Sequence, residues 1–164
     1  METLLDKALA IAKTQIGVRE EPASSNSGPQ VNRYLESVGL SPGKFWCMAF
    51  VYWCFRKAYA GQMSGCPVIQ TGGVMDHWSR AKAAAKIRAS EARANPALIK
   101  PGLIGILLLD KHTNAGHTFI VESYENGALT TIEGNTASME SANAGNRNGE
   151  GVFRLTKRRL TDKS

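Results

Sequence analysis

Midway along this chain the spacing of apolar residues changes from a helical period to a strand period, and that change limits the fold more than any other feature. Leu4, Leu5, Ala8, Ile11, Ala12 and Ile16 follow a helical stripe that stops at Gly17. Val31, Tyr34, Leu35 and Val38 mark a short helix ending at Gly39. From Cys47 to Tyr59 the chain is apolar nearly all round, the signature of a buried helix, and a further helix is expected from about Val74 to Ala85. After that the pattern reads as strands. Leu103 to Leu109 is a continuous apolar run, read as a buried strand. Thr118 to Tyr124 and Ala128 to Asn135 form a hairpin about Glu125-Asn126-Gly127, and Val152 to Thr156 is a last strand. Glu21 to Gly28, Ser41 to Gly43, Gly61 to Gly73 and Gly134 to Gly151 have loop composition, and the last is expected to be mobile. Helices followed by antiparallel strands predict an α+β fold with N-terminal helices packed on a C-terminal sheet. The 164 residues suit one domain, 1–164.

Charge and cysteine content narrow the chemistry. The formal net charge is +6, with the basic residues read as scattered except for Lys157-Arg158-Arg159. A basic surface suits an anionic polymer or is simply solubilising. Aromatic and basic residues do not interleave as they do where bases stack, so no nucleic-acid partner is expected. No apolar run nears the roughly eighteen residues of a membrane span. The acidic start, Met1-Glu2-Thr3, is unlike a secretory signal, which predicts synthesis in the cytoplasm and delivery by another route. Cys47, Cys54 and Cys66 are an odd set, so at least one thiol is free. Cys47 and Cys54 lie about 10 Å apart along one helix, too far for a bridge, and CxxC spacing is absent, so no metal and no cofactor are expected.

Among the three thiols, Cys47 stands out by position. It opens the most hydrophobic helix, where unpaired backbone N–H groups and the positive end of the dipole favour a thiolate and can receive an oxyanion. An ordinary core cysteine is the competing reading there, and it is the reading adopted for Cys54, in mid-helix. Cys66, in a Gly-Pro loop, has no assigned role. Of the histidines, His77 reads as surface and His112 as loop. His117 follows Gly116, starts a strand and shares a face with Phe119 and Val121, which makes it the candidate base against the alternative of a satisfied core histidine.

The hairpin tests this pairing. A three-residue Glu125-Asn126-Gly127 loop, with Gly127 in a G1 bulge, pairs Tyr124 with Ala128. Counting back along both strands then puts Asn135 opposite His117 and Glu133 one diagonal step away on the same side. A two-residue Asn-Gly turn would send both to the opposite face. A catalytic imidazole presents one nitrogen to the thiol while an acceptor fixes the other. Glu133 would supply charge for that purpose and Asn135 orientation alone.

The segments Trp46-Cys-Met-Ala-Phe-Val-Tyr-Trp-Cys54, Gly116-His-Thr-Phe-Ile-Val-Glu122 and Ile132-Glu-Gly-Asn-Thr136 resemble those of CHAP domains, the cysteine, histidine-dependent amidohydrolases/peptidases. Gly17-Val-Arg-Glu-Glu21 and Ser25-Asn-Ser-Gly-Pro29 add to the likeness, which runs from about residue 5 to 156. The resemblance implies a papain-like fold and hydrolysis of peptidoglycan amide bonds, as N-acetylmuramoyl-L-alanine amidase or peptide endopeptidase. It matches Cys47 to the nucleophile, His117 to the base and Glu133 to the acidic third member, with Asn135 beside it, and it places Asn26 and Trp46 where a substrate cleft would be lined. Some phage members bind calcium through acids before the cysteine; Ser41 to Phe45 contains none. With no room for a separate wall-binding domain, targeting is expected from the domain's own surface, a partner or a delivery machine. A wall hydrolase without a signal peptide would be a phage lysis enzyme (endolysin), an exported antibacterial effector with an immunity protein as partner, or a prophage remnant. The rival expectations are a cysteine peptidase or amidase on a non-wall substrate and a catalytically inactive wall-binding module.

Overall fold

The computed structural model describes residues 1–62, 65–140 and 149–160. Helices come first: α1 (Leu4–Thr14), α2 (Pro29–Ser37), α3 (Cys47–Ala58), α4 (Val74–Arg80) and α5 (Ala89–Ala94), with short 3-10 turns at Ala83–Ala85 and Pro96–Leu98. Four strands follow, β1 (Ile104–Asp110), β2 (Ala115–Glu125), β3 (Ala128–Thr136) and β4 (Gly151–Arg159), in one antiparallel sheet of order β1-β2-β3-β4. The α+β arrangement is as expected, helices N-terminal and sheet C-terminal.

The apolar character of α3 explains its place. Met48, Ala49, Phe50, Val51, Cys54 and Phe55 are all buried, because α1 and α2 pack on one side of the helix and β2 and β3 on the other. Gly134 permits the close approach to the sheet: a Cβ there would come within 2.8 Å of both Phe50 and Trp46. The main core takes Ile120 and Ile132 from the sheet, while Phe119, Val121 and Leu129 form a smaller cluster with Leu103 and Leu107. His117 therefore has the parity of the smaller cluster, not of the residues under α3. The segment after α1 turns at Gly17 (φ +96°) and runs along β4, with Gly17 N–H bonding Val152 O at 3.0 Å and Glu20 N–H bonding Glu150 O at 2.8 Å.

Several local expectations need correction. The apolar run at Leu103 to Leu109 is an edge strand, not a buried one; Leu108 and Leu109 are 49% and 50% exposed. The fourth helix stops at Arg80, and α5 was not foreseen. His77, expected at the surface, is buried, because it lies one turn after Val74 on the face of α4 that packs against the sheet. Burial pulls its pKa down. Of the loop expected at Gly134 to Gly151, Gly134 to Thr136 belongs to β3 and residues 141–148 lie outside the described residues.

The hairpin is also different, with consequences for the site. Glu125 pairs with Ala128, so the turn is the two-residue Asn126-Gly127 type, both with positive φ (50° and 79°). Tyr124 faces Leu129 and Ser123 faces Thr130, but the next pair is Val121 with Thr131. Glu122 is thus an extra residue, a β-bulge that moves the register by one. Its carboxylate is held by Lys13 of α1 (2.9 Å) and by Arg154 of β4 (2.6 and 3.1 Å).

Candidate active site

Cys47 is the first residue of α3 and lies, almost fully buried, in the wall of an open cleft of about 300 Å³. Phe45, Gly73, Met75, Asn114 and Gly116 line the same cleft. The preceding residue, Trp46, is the N-cap of α3 and makes no side-chain cap bond, so the first-turn N–H groups are not consumed by a capping side chain.

Behind Cys47 stands His117, buried near the start of β2. Its Nε2 is 2.7 Å from Glu133 Oε2. Its Nδ1 makes no formed hydrogen bond in this resting geometry, and Cys47 is the ionisable neighbour left to interact with the ring. Burial pulls the imidazole pKa down, but Cys47 and Glu133 outweigh it and raise the value to about 9. Glu133 is 0% exposed and accepts from four donors: His117, Thr131 Oγ1 at 2.6 Å, and Arg158 Nε and Nη2 at 2.9 and 2.8 Å. Burial alone would raise its pKa; Arg158 and His117 overcome that and hold it at about 2. Glu133 is therefore an anion at neutral pH, facing the Arg158 guanidinium and the His117 ring.

Asn135 is built into a different device. Its Oδ1 accepts from the backbone N–H of Trp46 at 3.3 Å, and its Nδ2 donates to Asn26 Oδ1 (2.9 Å), Gly149 O (3.1 Å) and Glu20 Oε1 (3.4 Å). It steadies the residue before Cys47 and makes no bond to the ring. Trp46 and Asn26, expected on the cleft wall, belong to the same network. Trp46 is fully buried, stacked on Tyr34 at 5.7 Å, with its indole N–H donating to Glu20 Oε1 at 2.8 Å. The Asn26 N–H donates to Glu20 Oε2 at 3.0 Å. A large indole with a buried acceptor gains more inside than in an open cleft; the exposed aromatic on the cleft is Phe45.

Two residues of this assembly escaped the sequence reading. Arg158 sat in a basic triplet taken as surface charge, and Glu20 in the run Arg19-Glu20-Glu21. The available signal for Arg158 was the group of apolar residues Val152, Phe153 and Leu155, which marks β4 as partly buried and its later residues as neighbours of β3. Nothing local distinguishes Glu20. Cys54 is buried in mid-helix with its pKa pushed well up by burial, and burial also raises that of Cys66. Among the described residues, no group of three or more His, Cys, Asp or Glu side chains is placed to hold a metal ion, and no helix is long and apolar enough to cross a membrane.

No curated protein and no solved structure matches the chain. The family model for the CHAP domain matches residues 39–135, more than half of the chain and the stretch that carries Cys47, His117, Glu133 and Asn135. The chain belongs to the CHAP domain family of amidase- and peptidase-type hydrolases.

Proposed function

We propose that this protein hydrolyses amide bonds of bacterial peptidoglycan, with Cys47 as nucleophile, His117 as acid and base, and Glu133 as the group that holds the imidazole. The observation that supports the reading is the buried His117 ring, whose Nε2 is 2.7 Å from Glu133 Oε2 and whose Nδ1 has no hydrogen-bond partner, with Cys47 acting on the same ring. Glu133 is preferred to Asn135 as third member because its carboxylate is 2.7 Å from the ring, whereas Asn135 bonds to the Trp46 backbone.

In this mechanism the Cys47 proton already resides on His117 when the sulfur attacks the amide carbonyl carbon. The oxyanion is received by the N–H groups at the start of α3. His117 returns the proton to the leaving nitrogen as the C–N bond breaks, which leaves a thioester on Cys47. Water, deprotonated by His117, attacks that carbonyl. The C–S bond breaks, the acid product leaves, and the thiol is restored. Glu133 stabilises the imidazolium in both halves of the cycle, and Asn135 with Glu20 keeps the nucleophile's neighbour in place.

The setting proposed is a phage lysis enzyme or an exported effector that acts on the wall or periplasm after delivery, with an immunity protein as partner in the effector case. Cys47→Ala should remove hydrolysis of purified peptidoglycan while far-UV circular dichroism stays unchanged. Mass spectrometry of the parent digest should show new stem-peptide ends or free muramyl groups. Undiminished wall clearance by Cys47→Ala would refute the thiol mechanism, and a parent digest without new ends would refute the wall substrate.

A further inference from the structure

Between the end of α4 and the start of the sheet lies a stretch that the catalytic reading does not use. Residues 80–100 carry Arg80, Lys82, Lys86, Arg88, Arg93 and Lys100 against the single acid Glu91, so nearly all of the chain's formal excess of +6 resides there. The cations alternate with alanines instead of running together, which is why the charge looked scattered along the sequence. The supposed basic run at the C-terminal end is a different matter, since Arg158 is turned onto buried Glu133.

The stretch contributes little to the core. Lys82 to Ala85, Ile87, Arg88, Lys100 and most residues between are exposed, and only Ala92 is buried. Its regular structure is limited to two 3-10 turns and the six-residue α5. It is nevertheless tied to the site. The first turn of α4 lines the cleft through Val74, Met75 and Asp76, and the seven residues of α4 span about 10 Å. Lys86 folds back onto that helix, its Nζ 5.1 Å from the Trp78 ring and 3.5 Å from Ser79 O. Arg80, which ends α4, is paired with cleft-lining Asp76 at 3.0 Å, so the field that reaches a polymer entering the cleft comes from the cations that follow it, which begin roughly one Debye length away.

We infer that residues 80–100 form a docking strip for the carboxylates of the peptidoglycan stem peptides, so that the enzyme stays on an insoluble anionic substrate between cuts. The inference rests on the peptidoglycan reading above and extends it from the bond cut to the way the polymer is held. The alternatives fit less well. Single-stranded nucleic acid needs aromatic platforms between the cations, and this stretch contains no Phe, Tyr or Trp. A membrane surface is met by a continuous amphipathic helix, and the longest helix here has six residues.

The test uses the full chain and a variant carrying Lys82→Gln, Arg88→Gln and Lys100→Gln, three exposed positions away from the cleft-lining residues. Co-sedimentation with purified peptidoglycan stripped of phosphate polymers is measured at low and high salt. The parent should be retained about tenfold better than the variant at low salt, with the difference vanishing at about 0.5 M, where charges are screened within a few ångströms. Both proteins should hydrolyse a soluble muropeptide at the same rate. Equal sedimentation of parent and variant would overturn the inference. So would retention only by walls that keep their phosphate polymers, stronger binding to duplex DNA or anionic vesicles, or an equal loss of soluble-substrate turnover. If the parent binds by this strip but cuts no wall fraction, the hydrolase reading fails and the docking strip stands; sedimentation and turnover thus judge the two separately.

Discussion

Replacing Arg158 with methionine probes the charge balance behind the imidazole. The substitution keeps an unbranched stem but removes the guanidinium, which lies 5.8 Å over the Phe119 ring and donates two N–H groups to a carboxylate that is 0% exposed. Breaking a fully buried ion pair from one side costs about 3–5 kcal/mol. Two features reduce that here: the Arg158 side chain is 18% exposed, and Glu133 keeps its bonds to His117 and Thr131. A loss of about 2–3 kcal/mol at pH 7 is the resulting expectation. The sign of the pH dependence follows from the lowered Glu133 pKa. A carboxyl held at about 2 in the fold contributes stability that is present above the unfolded carboxyl range and lost as pH falls toward 2. Without Arg158 the group protonates at higher pH, so the gap between parent and variant should narrow as pH falls from about 5 toward 2. Urea unfolding across that range reads both quantities, with an unchanged slope showing that only stability moved. A double variant adding Glu133→Gln should be more stable than the two single losses summed, because no unpaired buried charge remains. A single-variant cost under about 0.5 kcal/mol, or strict additivity in the double, would refute the account.

Two further predictions are independent of it. The raised pKa of His117, about 9, gives a contribution that is complete below the ordinary imidazole value and is lost as pH rises through 9. Urea midpoints between about pH 6 and 10 should therefore fall more in the parent than in His117→Gln, and parallel curves would contradict the pairing with Cys47 and Glu133. Gly134→Ala places a methyl 2.8 Å from Phe50 and Trp46; it should cost about 1–3 kcal/mol by thermal unfolding, and a neutral result would mean that α3 can move off the sheet freely.

What the sequence made legible was local. A helix apolar all round has nowhere to go but the core, so α3 and the placement of Cys47 at its start were readable from residues 47 to 59. The strand beginning at His117 and its neighbour ending at Asn135 were readable for the same reason. Whatever depended on a distant partner was not. Glu20 is separated from Trp46, and Arg158 from Glu133, by about two dozen residues of chain, and a buried carboxylate looks like a surface one until its donors are known. Both residues also lie outside the segment that the family model matches, so this chain's own flanks complete the support of its site. The run at Leu103 to Leu109 misled because length and hydrophobicity do not separate a central strand from an edge. Only the sheet order does.

The register of β2 on β3 was reached through a compensation. A three-residue turn was expected to bring Glu133 to the side of His117; the turn has two residues, which by itself would carry Glu133 and Asn135 to the far face. The extra residue Glu122 restores the lost step between Ser123 and Val121, so the alternation that reaches Ile120 and Ile132 is the one required to join His117 to Glu133. The chain thus separates two demands that one long loop would have tied together. Asn126-Gly127 gives the tightest hairpin the strand twist favours, and the bulge, held by Lys13 and Arg154, sets which side chains meet at the other end. An ion pair that is worth little as surface stabilisation therefore has structural leverage on the candidate site: it holds the residue whose presence decides on which face of the sheet the carboxylate lies.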